Sequence, residues 1–172
     1  MEPTSYGQLG RLFTTFEREA LHLEMRDAYG TAVELPHLRR WLNNEPDDLD
    51  WLQDWFATVR AGTAAGKTFR RARIVSEPVS EYQQWVLKDT HLYVEAGEDI
   101  RWVPRRLVST VPLPGNDFWL FDRVQVVFLI FAGNGLVMDY LSTTDHAAIE
   151  LCVNAFERVW KLSIPNSDYQ PG

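Results

Sequence analysis

Apolar positions along this chain follow two rhythms, and the switches between them predict its elements. Leu9, Leu12, Phe13 and Phe16 recur at helical spacing and predict a short amphipathic helix over Tyr6–Glu19. From Ala20 to Arg26 the period drops to two. Leu21, Leu23 and Met25 fall on one side, His22, Glu24 and Arg26 on the other, which predicts a half-buried strand. Leu35, Leu38 and Leu42 form the stripe of a second helix, with Pro36 near its first turn. Leu49, Leu52, Trp55, Phe56 and Val59 mark a third helix, for which Asp47 and Asp48 are placed as cap and first-turn acid.

Phe69–Ser76 reads as a strand, Val79–Ala96 as a helix with Gly97 at its end, and Asp99–Val103 as a strand stopped by Pro104, which together make a βαβ unit. Phe118–Phe121, Val124–Phe131 and Leu136–Leu141 are separated by Asp122-Arg123 and by Gly133-Asn134-Gly135, so they predict a meander of antiparallel strands. Both alternating sets of Val124–Phe131 are mostly apolar, as in a strand covered on two faces. Thr143 or Thr144 is placed to cap a last helix bearing Ile149, Cys152, Phe156 and Trp160. The expected fold is α+β: a mixed, largely antiparallel sheet of about five or six strands with helices packed on it, one βαβ unit, and a C-terminal β-meander followed by a helix. Residues 1–165 form one domain in this reading, and 166–172 a loose tail.

With 172 residues, 45% of them apolar, the chain has enough material for a substantial core. A formal net charge of −7 gives no global field for nucleic acid. The lone cysteine, Cys152, allows no intrachain disulfide, as expected for a cytoplasmic chain. The N-terminal residues lack the pattern of a signal peptide, and Val126–Ala132, the longest apolar run, is too short to span a bilayer.

Ala61–Thr68, AGTAAGKT, matches a loose phosphate-loop pattern. That chemistry needs a loop running from a strand into a helix, and here the predicted order is helix, loop, strand. His22, His37, His91 and His146 show no metal-ligand spacing, no Gly-x-Ser-x-Gly elbow occurs, and Cys152 sits in an apolar stripe. The residues imply no metal, no cofactor and no catalytic set. Strand polarity says more. Phe69, Arg71, Arg73 and Val75 share one face; Arg70, Ala72, Ile74 and Ser76 share the other. Ligands of open sheets with crossover helices gather beyond the carboxyl ends of strands. Arg73, Glu77, Tyr82 and Arg101, joined by Asp122, are therefore the candidate ligand-binding residues. The competing reading is a structural network, for example Arg101 with Glu98 or Asp122, and Asp122 is equally suited to a turn.

Three ordered stretches carry a resemblance: IVSEPVSEY from Ile74, AGEDIRWVPR from Ala96 and DFWLFD from Asp117. With the opening LGRLFTTFEREALHLEMRDAYG, they resemble an actinobacterial family of uncharacterised proteins over about Leu9–Ile164. The resemblance implies no particular activity. It does imply, by association alone, a partnership with helix-turn-helix regulators, near which such proteins are found. Asp99–Ile164 is also similar to the C-terminal sensing domain of actinobacterial helix-turn-helix regulators, although the chain shows no DNA-reading helix-turn-helix.

The function expected is thus a non-catalytic cytosolic regulatory domain that binds a ligand or a protein, with a helix-turn-helix regulator as partner and a small anionic ligand as a possible occupant. The alternative is a small enzyme in which Glu77 or Asp122 does acid–base work and Arg73 or Arg101 clamps an anionic substrate. A third reading takes Arg70, Arg71, Arg73, Arg101, Arg105 and Arg106 beside aromatics as nucleic-acid contacts, against which the acidic balance stands.

Overall fold

A computed structural model describes residues 1–172. The elements follow in chain order: β1 (Glu2–Thr4), α1 (Tyr6–Thr15), β2 (Glu19–Glu24), α2 (Glu34–Leu42), a 3₁₀ turn (Asp50–Leu52), α3 (Gln53–Ala64), β3 (Thr68–Val75), α4 (Glu81–Ala96), β4 (Glu98–Pro104), a second 3₁₀ turn (Arg105–Val108), β5 (Phe118–Phe121), β6 (Gln125–Phe131), β7 (Val137–Thr143), α5 (His146–Leu162) and β8 (Ile164–Pro165). The fold is α+β, and its single mixed sheet has eight strands in the order β1-β7-β6-β5-β2-β3-β4-β8. Five or six were expected. The additional strands, β1 and β8, have three and two residues, too few to show a period of two, and both contain proline at a sheet edge.

Only β2–β3 and β3–β4 are parallel; every other pairing is antiparallel. The expected βαβ unit is β3–α4–β4, and β2 reaches β3 by a further parallel crossover through α2 and α3. The meander β5–β6–β7 leads into α5.

Element ends have local causes. Ser5 and Gln8 form a reciprocal capping box at α1, which stops at Thr15 because Phe16 turns extended. Ser80 caps α4, and Gly97, at φ 115°, closes it in a conformation that favours glycine. Asp145, rather than Thr143 or Thr144, caps α5; the Thr143 hydroxyl accepts from the Asp145 N–H instead. Asp47 does not cap α3. It accepts from the Leu49 N–H at 3.2 Å and lies 2.7 Å from His37 Nδ1, which ties the α2–α3 connection together.

The sheet is covered on both faces. On one, Leu21, Leu23, Ala72, Ile74, Leu120 and Phe128 pack under Cys152, Phe156 and Val159 of α5. Burial there pushes the Cys152 thiol up to about 12, as befits a small apolar filler. On the other, Ala20, Phe69, Trp119 and Val127 pack under Leu9, Phe56 and Val59 of α1 and α3. Further toward the carboxyl ends of β2 and β3 this second face changes character, and side chains with charge replace apolar ones.

Candidate ligand-binding pocket

Alternation alone puts His22 and Glu24 of β2 on the same face as Arg71 and Arg73 of β3, since His22 pairs with Arg71 and Glu24 with Arg73. From the sequence, β2 is half-buried and Arg73 belongs to a candidate ligand site. In the structure α1, α3 and α4 roof this face, and all four residues are buried. Charges in such a place must satisfy one another. Arg71 donates from Nε to Glu98 Oε1 and from an Nη to Glu24 Oε1, both at 2.6 Å. Trp55 Nε1 donates to the other Glu98 oxygen at 3.0 Å. Arg73 Nη1 lies 2.5 Å from Glu24 Oε2. His22 donates from Nδ1 to the Phe118 carbonyl at 2.8 Å, stacks on Trp119 at 4.1 Å, and places Nε2 3.2 Å from Glu24. Burial alone would raise the Glu24 carboxyl; the two guanidiniums and His22 outweigh it and hold the group well below the usual carboxylate range.

Above this floor is a cavity of about 570 Å³ lined by 28 residues, 20 of them hydrophobic. Trp51, Trp55, Trp85 and Trp119 contribute walls, with Tyr29, Tyr82 and Tyr93 between them. Asp117, at the start of β5, enters from one side. It accepts from the Met25 N–H at 3.0 Å and from the Tyr29 hydroxyl. Burial raises its carboxyl above the ordinary value despite the help of Tyr29 and His22, and the nearby Glu24 charge adds to the rise. The Tyr82 hydroxyl donates to Glu34 at 2.8 Å. Three buried polar atoms near the cavity remain without a hydrogen-bond partner: Glu24 Oε2, Arg73 Nε and Trp51 Nε1. One rim is held by backbone. Gly30 N–H donates to the Gly135 carbonyl at 3.0 Å, and a Cβ on Gly30 would stand 2.5 Å from the Asn134 carbonyl. The loop after Tyr29 and the β6–β7 hairpin thus meet beside residues that line the cavity.

Of the residues singled out from the sequence, Arg73 and Tyr82 line this cavity. Glu77 lies elsewhere, paired with Arg106 and accepting from Tyr169 at 3.2 Å, beside a small polar recess with Ser76, Arg105 and Ser109. Arg101 belongs to the opposite sheet face, 3.2 Å from Asp99 and 4.2 Å from the Trp160 ring. Asp122 occupies the β5–β6 turn at φ 51° and accepts from the N–H groups of Glu17, Arg18 and Glu19 at 2.7, 2.7 and 3.0 Å. Burial opposes the Asp122 charge, but these three donors outweigh it and lower the carboxyl. Arg71 and Arg73 are internal, and Arg70 is paired with Glu19, so they form no basic surface patch. Residues 166–172 include Tyr169, buried and stacked on Trp102 at 5.2 Å. No group of His, Cys, Asp or Glu is arranged to hold a metal ion, and no helix is long and apolar enough to cross a membrane. AGTAAGKT joins α3 to β3, with Lys67 donating to the Thr14 carbonyl at 3.1 Å.

His22, Glu24, Arg71 and Asp117 were not among the expected site residues. The usable signal was the strand pattern itself, in which His22 and Glu24 share a face as Arg71 and Arg73 do.

Fold and cavity together define an α+β domain with a roofed, aromatic pocket on one sheet face. The chain belongs to the family described as a domain of unknown function (DUF6879), whose model matches residues 7–171. Among solved structures it is similar to TrmBL2, an archaeal chromatin protein described as showing a novel mode of DNA binding, at 10% identity and a TM-score of 0.49. That match covers 91% of this chain and 48% of the other, so the chain spans about half the length of that protein. No curated protein matches the chain.

Proposed function

We propose that this domain binds a small organic molecule in the cavity over β2 and β3 and acts without catalysing a reaction, as the sensing member of a cytosolic regulatory pair. One observation carries the reading: a cavity of about 570 Å³ combines aromatic walls with a floor of fixed charges. Pockets of this size, mostly apolar with a few convergent polar groups, are the usual form of small-molecule sites. A helix-turn-helix regulator is the proposed partner, on the resemblance to a family found near such regulators and on the likeness of Asp99–Ile164 to their sensing domains. Native mass spectrometry of protein isolated gently from its source tests both halves. The expected result is a stoichiometric small molecule that is lost from the Ala32→Trp variant, whose new ring fills the exposed edge of the cavity. A regulator carried along supports the partnership. An empty chain that also binds nothing from a broad metabolite library overturns the pocket reading.

A second reading has one specific observation behind it. Asp117 is a carboxyl on a cavity wall whose pKa is raised by burial, as in a general acid, against the hydrogen bond that it accepts from Tyr29. In an enzyme of this kind, Asp117→Asn abolishes turnover of the retained molecule while leaving its binding measurable. Chemically unchanged ligand after long incubation with the native protein rules this reading out.

A further inference from the structure

We propose that the occupant of the cavity is a lipophilic organic cation, an amine or quaternary ammonium, rather than an anion. This rests on the pocket reading above and concerns the ligand's charge.

The first argument is the charge that the lining leaves unpaired. Its only guanidinium groups are those of Arg71 and Arg73, and no lysine lines it. Both are committed: Arg71 to Glu24 and Glu98, Arg73 to Glu24. An anionic ligand could take the unpartnered Arg73 Nε–H, but the charge of Arg73 is already matched by Glu24, and drawing either guanidinium away breaks a buried ion pair, which is costly. Three further carboxylates line the cavity, Glu34, Asp89 and Asp117. Glu34 receives hydroxyl hydrogen bonds from Thr31 and Tyr82, and Asp117 one from Tyr29. Neither pairs with Lys or Arg, and Asp89 has only the exposed Lys88 at 4.0 Å. An anion would add to this excess of negative charge, and a cation relieves it.

The second argument is the placement of aromatic faces. Tyr82, Trp85, Asp89 and Tyr93 recur on α4 at spacings of three and four, so one stripe of the helix presents three rings and a carboxylate to the cavity. Deeper in, Trp55, Tyr93 and Trp119 already surround the Arg71 guanidinium at 5.9, 5.7 and 5.6 Å from their centroids. The cavity is thus built as a cation cage, and its inner part holds an internal cation. Trp51, stacked on His37 at 4.6 Å and 6.2 Å from Trp85, and Trp85 itself have no Lys or Arg above them. Rings and carboxylates in a partly desolvated place attract an organic cation.

The third is an unfilled acceptor. Glu24 is only 6% exposed, lines the cavity, and its Oε2 receives no hydrogen bond; the close Arg73 Nη1 is out of line for one. A protonated amine can supply it through an N–H, whereas a quaternary ammonium meets the carboxylate by charge alone. Trp51 Nε1–H, also unpartnered, suits an uncharged oxygen on the same molecule.

Tryptophan fluorescence titrations with three probes provide the test: benzyltrimethylammonium, its uncharged isostere neopentylbenzene, and 4-tert-butylbenzoate. The expected order is cation tightest by about tenfold over the neutral probe, with the anion weakest. Asp89→Asn is expected to weaken the cation by about threefold more than the neutral probe. Equal binding of cation and neutral probe, or preference for the anion, overturns the charge assignment and leaves the pocket standing, provided Ala32→Trp blocks the binding seen. No binding of any probe counts against the pocket itself, and the charge assignment falls with it.

Discussion

Glu24 is the residue on which the buried cluster converges, for it faces Arg71, Arg73 and His22 at once. Removing it leaves two guanidiniums short of their counter-ion, so Glu24→Ala should cost about 3–5 kcal/mol in denaturant unfolding. Its titration has a definite sign. The folded-state pKa lies below the ordinary 4.5, so its contribution to stability is complete above that value and is lost as the pH falls. Asp27, Asp47 and Asp122, lowered from 3.8, act in the same direction. Asp117, raised from 3.8, has the opposite sign: its contribution is present at low pH and declines as it ionises. The thermal midpoint should therefore drop below about pH 4.5, and Glu24→Gln, though less stable throughout, should show a shallower fall. An equally steep fall would mean that Glu24 is not the dominant group. Why the sequence reveals Arg73 and Tyr82 but scatters Glu77, Arg101 and Asp122 is also a matter of single residues. Alternation shows which residues of one strand share a face, but not how neighbouring strands align. In the sheet Arg73 is opposite Trp102, so Arg101 emerges on the other side.

At the scale of elements, the long periodic segments were legible because their apolar stripes are their packing surfaces. α4 and β5 were found within a residue or two of their ends. The α2–α3 connection was not, because Leu49 takes a left-handed conformation at φ 59° and a 3₁₀ turn intervenes, and neither leaves a mark in the hydrophobic pattern. Caps can be tested directly. Ser80→Ala should destabilise by about 1 kcal/mol through loss of the bond from Gln83 N–H. Gly97→Ala should cost more, about 1–3 kcal/mol, since it combines a positive φ with a Cβ 2.8 Å from Thr63 Cγ2. Thermal melts of the two variants check the order. The rim offers a sharper case. Gly30→Ala pushes the loop after Tyr29 away from the β6–β7 hairpin, and hydrogen exchange should then accelerate at residue 30, whose N–H loses the Gly135 carbonyl, while the Gly135 amide, bonded to Ala132 within the hairpin, and the amides of β2 and β3 stay protected.

For the whole molecule, the fold class could be read because its two signatures, a strand–helix–strand unit and a meander, are each contiguous in sequence. The pocket could not, because it exists only where helices from the first half roof a sheet completed by the second. The β2–β5 pairing shows how far that dependence goes. Asp122 reaches back across 103 to 105 positions to gather the N–H groups of Glu17, Arg18 and Glu19. A chain still emerging from the ribosome therefore cannot complete β2 when β2 is made. Until the meander follows, the strand has a partner on one side only, with an open edge and the apolar side chains Leu21 and Leu23 beside it. Folding of this topology is necessarily late and slow to nucleate, and an interrupted product ending before Asp117 would be a candidate for chaperone capture or aggregation rather than a smaller version of the same domain.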